Sequence, residues 1–361
     1  MRNEKPLRVE TMKFETIALS DVAATKAWDD YVEVHPLATP SHLSSWLSAI
    51  QTTYSFTPLL YVAKGEDDTL LGVFPLFKIR GAFAGIRIVS LPFSDYGGPL
   101  CNSAAVEEEL VRHVRCACHN GIRYLEIRGG LQSPGDLLPY HYYKRHVMNL
   151  EPGVSAIQSK IDKKTIQYCI RKAEKAGVTI RQDNTRKGLD AFYHLNNLTR
   201  RKHGVPSQPR AFFENLFSCI VAKEAGFIMV AEHESAIVAA SLFLTVGKQI
   251  HYKYNASDPA VLKRLSPNHL LTWRVIAWGV EHGYAALDFG RTSPDNEGLI
   301  RYKNMWGMED KDLPYYYYPR VKGAVSTKES GMSYRLVTSM WRHLPLPVME
   351  LSSSVLYKHL G

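Results

Sequence analysis

The chain repeats itself. Asn120-Gly-Ile-Arg-Tyr-Leu-Glu-Ile-Arg128 is answered by His282-Gly-Tyr-Ala-Ala-Leu-Asp-Phe-Gly290, with Gly121 and Gly283 standing 162 positions apart. Upstream, Tyr61-Val-Ala63 is answered by Met229-Val-Ala231. Each copy shows the same succession: a short strand, two amphipathic helices, three strands, a helix and a buried strand. A meander of strands followed by helix and strand predicts the α/β class, with two tandem mixed sheets and helices on both faces of each. The expected units are residues 1–152, residues 153–322 and an amphipathic tail, residues 323–361, with the join between about 150 and 159.

Local signals support the element order. Asp21 to Val34 and the stretch after Ser41, with Leu43, Trp46, Leu47 and Ile50 on one side, have helical spacing. Gly121, Gly177, Gly204, Gly226 and Gly283 stand where helix C-caps are needed. Ser266-Pro267 reads as an N-cap followed by a first-turn proline. In the tail, residues 334–343 are amphipathic. Leu344-Pro-Leu-Pro347 interrupts them before a second apolar helix, which is expected to dock on the body or to touch a membrane surface.

Composition removes several function classes. Hydrophobic content of 45% and charged content of 22% are globular values. No run of eighteen apolar residues appears, so no membrane-spanning helix is expected. The polar residues 1–10 carry no secretory h-region, and a cytoplasmic chain is the expectation. Five scattered cysteines make no disulfide framework, and Cys116-x-Cys118 lacks a second pair for a metal site. G-x-S-x-G, P-loop, G-x-G-x-x-G and H-E-x-x-H patterns are all missing. A net charge of +9, concentrated in residues 160–175 and 199–203, favours an anionic partner: nucleotide, phosphorylated carrier, RNA or anionic membrane face.

Two stretches carry candidate chemistry. Residues 282–307 combine Asp288, Arg291 and Lys303 around a strand, a loop and a helical turn. Lys263-Arg-Leu-Ser-Pro-Asn268 lies between a strand and a helix, where free N–H groups and the helix dipole favour an anion such as a pyrophosphate. Lys263, Arg264, Ser266 and Asn268 are therefore the candidate donor-binding residues.

Further motifs give these stretches a context. They are Ser94-Asp-Tyr-Gly-Gly-Pro-Leu100, Arg200-Arg-Lys-His-Gly204, Tyr252-Lys-Tyr-Asn-Ala256, Leu287-Asp-Phe-Gly-Arg291 and Tyr302-Lys-Asn-Met-Trp-Gly307. With the tandem order of elements they resemble FemAB-like proteins, a tandem branch of the GNAT acyltransferase fold, over roughly residues 39–318. The resemblance implies direct transfer of an acyl or aminoacyl group to an amine in a ternary complex. It implies Lys303 as the group facing developing negative charge, with Asp288 and Asp95 as the candidate acids or bases. The family pattern has an aspartate after the Gly-Pro loop; here that place holds Asn102, which makes Asp95 the nearest substitute. His203 and His251 are alternative bases. Tyr96, Gly97, Gly98, His203, Lys253, Tyr254 and Arg291 are the expected substrate contacts.

The resemblance leaves the donor open. Fem enzymes that use aminoacyl-tRNA often carry a helical-hairpin insertion, for which residues 155–318 have no room. That favours acyl-CoA, acetyl-CoA in the first instance, as a co-substrate, with no bound cofactor and no metal. The acceptor is then an amino group of a nucleotide- or lipid-linked cell-envelope or exopolysaccharide sugar. The alternative is an aminoacyl-tRNA-dependent transferase acting on a peptidoglycan-like precursor, and a third reading is a non-catalytic assembly module. DNA is not an expected partner, and a peripheral contact with the inner face of the membrane falls to the tail.

Overall fold

The two copies share one sheet. The computed structural model describes residues 12–81, 85–118, 121–319, 338–339 and 341–360. In the first copy β1 (Lys13–Ile17), β2 (Thr57–Lys64), β3 (Leu70–Gly81) and β4 (Gly85–Val89) run antiparallel, and β6 (Ile122–Arg128) lies parallel to β4. The two-residue β5 (Leu100–Cys101) pairs with β3 beside this path. The second copy repeats the scheme with β8 (Thr179–Gln182), β9 (Gly226–His233), β10 (Ala236–Val246), β11 (Gln249–Ser257) and the parallel β12 (Ala286–Thr292).

Two strands are exchanged between the copies. β7 (Pro139–Asn149) follows β6 in the chain but pairs with β12. β13 (Glu309–Tyr318) follows β12 but pairs with β6. β7 and β13 also pair with each other, so the order is β1-β2-β3-β4-β6-β13-β7-β12-β11-β10-β9-β8. The order is palindromic about the β13–β7 pair. The boundary expected at residue 152 falls between β7 and the next helix, but the sheet runs across it without a break.

The helices are α1 (Val22–Val34), α2 (Ser44–Tyr54), α3 (Ala104–Ala117), α4 (Val154–Lys160), α5 (Ile166–Lys175), α6 (Arg186–His203), α7 (Arg210–Cys219), α8 (Leu262–Leu265), α9 (Pro267–Glu281), α10 (Glu297–Asn304) and α11 (Leu346–Leu360). One face of the sheet carries a core common to both copies. Trp28 of α1 and Trp46 of α2 pack there with Phe192 of α6 and Phe212 and Phe213 of α7. The Trp46 and Phe212 rings meet edge to face at 6.0 Å, the arrangement that ring quadrupoles favour. On the other face α3 covers the first copy, and α4, α5 and α9 cover the second.

Local chemistry sets the element ends. Asp21 caps α1 by accepting from the Ala24 N–H at 3.0 Å. Ser41 does not cap the second helix. It sits in a 3-10 turn, Pro40–His42, and α2 begins at Ser44, whose N–H and hydroxyl are held by Asp29. Ser266 also departs from expectation: its φ is +53° and its side chain makes no capping bond to α9. The amphipathic stretch 334–343 lies largely outside the described residues, as do residues 1–10. The second tail helix, α11, docks on the body through buried Met349, Ser353 and Tyr357. The Tyr357 hydroxyl donates to the Pro206 carbonyl at 3.1 Å.

Candidate active site

The parallel pair β11–β12 is joined only from Gln249↔Ala286 to His251↔Asp288, although both strands continue. The site forms where that pairing stops. Residues 93–98 of the first copy reach into this place. Lys253 of β11 donates to the Phe93 carbonyl at 2.9 Å and lies 3.3 Å from the Asp95 carboxylate. Across from it, Gly290 of β12 has φ +67°, and a Cβ there would stand 3.0 Å from Asp95 Oδ2. A Cβ at residue 290 would crowd the carboxylate, and the positive φ favours glycine there.

Asp288 is the buried centre. Its Oδ2 accepts from the Tyr96 hydroxyl at 2.6 Å and from Arg145 Nε at 2.9 Å, and Oδ1 accepts from the Gly290 N–H at 2.6 Å. The Arg145 guanidinium also lies 4.0 Å over the Tyr96 ring. Burial alone would raise the Asp288 carboxyl, but Arg145, His251, Tyr96 and the Gly290 amide outweigh it and hold it below its ordinary value. Asp95 behaves likewise: burial opposes ionisation, and Lys253 and Arg291 overcome it. Its side chain remains one-third exposed.

Lys303, on α10, is 5% exposed. Its ammonium donates to the Phe289 carbonyl at 2.6 Å and the Gly290 carbonyl at 3.1 Å. Burial pulls it down to about 8, with Asp95 and Asp288 opposing only in part. His251 is buried 3.9 Å from Asp288, and burial lowers its pKa to about 4, so it is neutral near pH 7. Its Nε2 has no hydrogen-bond partner among the described residues.

Beside Asp95 a pocket of about 440 Å³ opens between α6, β11 and α11. Arg200, His203 and Lys253 supply its basic groups, Asn196, Thr199, Gln208 and Asn255 its neutral polar groups, and Phe93, Tyr254 and Tyr357 its rings. A charged or phosphorylated ligand there would meet Arg200, Lys253 and the Asp95 carboxylate; burial and neighbouring cations lower the His203 pKa, so its ring is neutral near pH 7.

The expected residues therefore separate into groups. Lys303, Asp288 and Asp95 lie in one cluster, and His203, Lys253 and Tyr254 line the adjoining pocket. Tyr96 spends its hydroxyl on Asp288. Gly97 donates to the Arg128 carbonyl at 2.8 Å, and the Gly98 carbonyl faces buried His42 Nε2 at 3.0 Å, so this loop is packed rather than open. Arg291 turns toward the exchanged strands, bonded to the Tyr315 hydroxyl at 2.8 Å and stacked over Tyr143. Lys263, Arg264, Ser266 and Asn268 stand at the α8–α9 junction, linked to the pocket wall through Asn268, Ser257 and Thr199. The anion cradle expected there is depleted: Pro267 has no N–H, and the Ser266 and His269 amides already bond within the turn.

Arg145, His42 and Tyr315 were not among the expected residues. Arg145 sits in Lys144-Arg-His146, a run with no local signal of chemistry, and its role appears only when β7 is placed beside β12. Among the described residues no group of acids, histidines and cysteines could hold a metal ion, and no helix is long and apolar enough to cross a membrane.

The duplicated mixed sheet, with a polar cluster where β11 and β12 part, is the architecture of a tandem GNAT-fold transferase. Residues 162–304 match the acetyltransferase (GNAT) domain family. The lipid II:glycine glycyltransferase of Staphylococcus saprophyticus is 21% identical over 78% of this chain and 88% of its own. The crystal structure of FemX superposes with a TM-score of 0.64 at 14% identity, covering 85% of this chain and 97% of FemX. A tandem GNAT protein from the clavulanic acid biosynthesis pathway gives 0.52 at 12% identity, over 85% of this chain and 98% of its own. Residues 162–304 thus carry a GNAT domain, and the chain as a whole has the tandem GNAT fold of a transferase.

Proposed function

We propose that this enzyme transfers an aminoacyl group from aminoacyl-tRNA to an amine on a lipid-linked cell-envelope precursor. The observation that carries the reading is the pocket of about 440 Å³ that Asp95 lines together with Arg200 and Lys253. Arg200 and Lys253 suit the phosphates of a carrier-linked acceptor, with the neutral His203 ring beside them, and Asp95 suits its amine. The likeness to a lipid II:glycine glycyltransferase over most of both chains supports a lipid-linked acceptor. The depleted cradle before α9 speaks against acyl-CoA, the donor favoured by chain length alone.

In this mechanism the neutral amine attacks the ester carbonyl of the donor. A C–N bond forms, the ester C–O bond breaks, and the terminal ribose hydroxyl leaves with a proton. Asp95 accepts the proton that the amine gives up and returns it to the departing ribose oxygen. Lys303 stabilises the charge that develops on the carbonyl oxygen. Asp288 acts through Arg145 and Tyr96, holding the loop that carries Asp95. Exposed Val348 and Leu351 on α11 support a peripheral contact with the membrane that holds the acceptor.

Calorimetry with aminoacyl-tRNA and with acetyl-CoA, followed by transfer of a labelled amino acid to lipid-linked precursor, tests the reading. Binding of aminoacyl-tRNA and label transfer that Asp95→Asn abolishes are expected. Binding of acetyl-CoA alone, with acetylation of an amino-sugar nucleotide, would overturn it.

A further inference from the structure

We propose that the donor's RNA seats on the basic surface formed by the segment around α5 and the α8 turn; this rests on the aminoacyl-tRNA reading above. Ile166, Ile170 and Ala173 turn the inner side of α5 into the core. The outer side carries Arg171 and Lys175, preceded by Lys163 and Lys164, all exposed. Lys172 donates to the Lys263 carbonyl at 2.7 Å, which joins this face to exposed Lys263 and Arg264 of α8.

The surface is not a self-neutralised helix face. Among the described residues none of these six exposed cations forms a salt bridge, and the neighbouring acids are engaged elsewhere. Asp162 accepts from the Thr165 N–H at 2.6 Å, and Glu174 pairs with Arg274 at 3.3 Å. Clustered cations without counter-charges are the footprint of a polyanion.

The surface chemistry favours RNA over a bilayer. The exposed residues from 163 to 175 are Lys163, Lys164, Thr165, Tyr168, Arg171, Glu174 and Lys175, without one aliphatic side chain to enter a membrane. Tyr168, 57% exposed, is a ring on which a base can stack.

The surface also leads to the reaction centre. The Asp162 N–H donates to the Met305 carbonyl at 2.9 Å, two residues past Lys303. Gly307 packs on Lys160. Lys160 and Arg145 both line a pocket of about 800 Å³, and Arg145 is the partner of Asp288. RNA phosphates along α5 would thus direct a 3′ terminus through this pocket toward Asp288 and Lys303.

The test uses the full chain, uncharged tRNA as the probe, and the triple variant Lys163→Gln, Lys164→Gln, Arg171→Gln. Binding is followed by fluorescence anisotropy across a salt titration, and urea unfolding checks that the variant folds. We expect wild type to bind with a steep salt dependence. The variant should bind at least tenfold more weakly, with a slope of log affinity against log salt shallower by about 2 to 3, the loss of three phosphate contacts. Equal binding by wild type and variant overturns the inference and leaves the donor reading standing. No tRNA binding by wild type overturns both. Binding of phosphatidylglycerol vesicles that depends on the three cations, with tRNA binding that does not, assigns the surface to the membrane and overturns the inference.

Discussion

Replacing Lys303 by methionine keeps the stem and removes the charge. In the native fold burial brings the ammonium from its ordinary 10.5 to about 8, which corresponds to about 3 kcal/mol against the charged form. Below pH 8 both the folded and unfolded chains hold the proton, so the full penalty is present at pH 7. Between pH 8 and 10.5 the folded chain has released it while the unfolded chain still binds it. Stability from this group therefore rises with pH through that window, by up to about 3 kcal/mol in total. Methionine escapes the penalty but leaves the Phe289 and Gly290 carbonyls without their charged donor, at about 1.5–3 kcal/mol for each lost bond. These effects oppose each other at pH 7, so the variant should remain folded. Urea unfolding of both proteins from pH 7 to 10.5 gives a difference curve in which other titrating groups cancel. Wild type should gain on the variant as pH rises. A flat difference curve would refute the assignment of a depressed pKa to a buried ammonium. Turnover at pH 7 should fall about 10²- to 10³-fold, as for loss of one oxyanion donor, and unchanged turnover would remove Lys303 from the mechanism.

Two more substitutions probe the cluster. Asp288→Asn leaves Arg145 facing a neutral amide and should cost about 3–5 kcal/mol. Because the folded carboxyl is held below its ordinary 3.8, its contribution is present above that pH and is lost as pH falls through the depressed value. The deficit of the variant, read from urea midpoints, should shrink in acid, and a pH-independent deficit would contradict the ion-pair account. Gly290→Ala places a Cβ at φ +67°, 3.0 Å from Asp95 Oδ2. The backbone strain costs about 1–2 kcal/mol, and the displaced carboxylate should lower kcat with little change in KM for the donor; an unaltered kcat would show that Asp95 has room to move.

The elements that could be read from the sequence are those whose residues declare their own period. β2, β3, β9, β10 and the helices α1, α6 and α9 are apolar on a regular spacing, and Gly121 and Gly283 take the positive φ that their helix ends demanded. The two exchanged strands declare nothing. β13 opens Glu309-Asp-Lys-Asp312 and contains Pro314, a sequence that reads as a loop. Its charges are held only because Lys144 of β7 lies between Asp310 and Asp312, at 3.0 and 2.8 Å, and its tyrosines pack on rings from β7. Neither strand has a reason to form without the other. The same limit hid Arg145. The motifs around Asp95, Asp288 and Lys303 are local and stand out in the chain, whereas the contacts that bring the Asp95 loop and Arg145 to Asp288 cross from one copy to the other.

That crossing explains why the copies are no longer equivalent. In the first copy the pairing of β4 with β6 is sewn past its last register pair, Val89↔Glu126. The Ser90 N–H donates to the Glu126 carbonyl at 2.9 Å, and the Arg128 N–H donates to Ser90 Oγ at 2.8 Å. Glu126, the counterpart of Asp288, is satisfied within its own strand by Arg128 Nε at 2.7 Å. In the second copy the pairing ends at His251↔Asp288, and Asp288 takes its partners, Tyr96 and Arg145, from the first. The first copy closed its own cleft and contributes residues to the second, which kept the opening. Because β7 completes the second copy's strand order and β13 the first's, neither copy alone could bring Tyr96 and Arg145 onto Asp288. The strand exchange thus makes a duplicated fold into a single site.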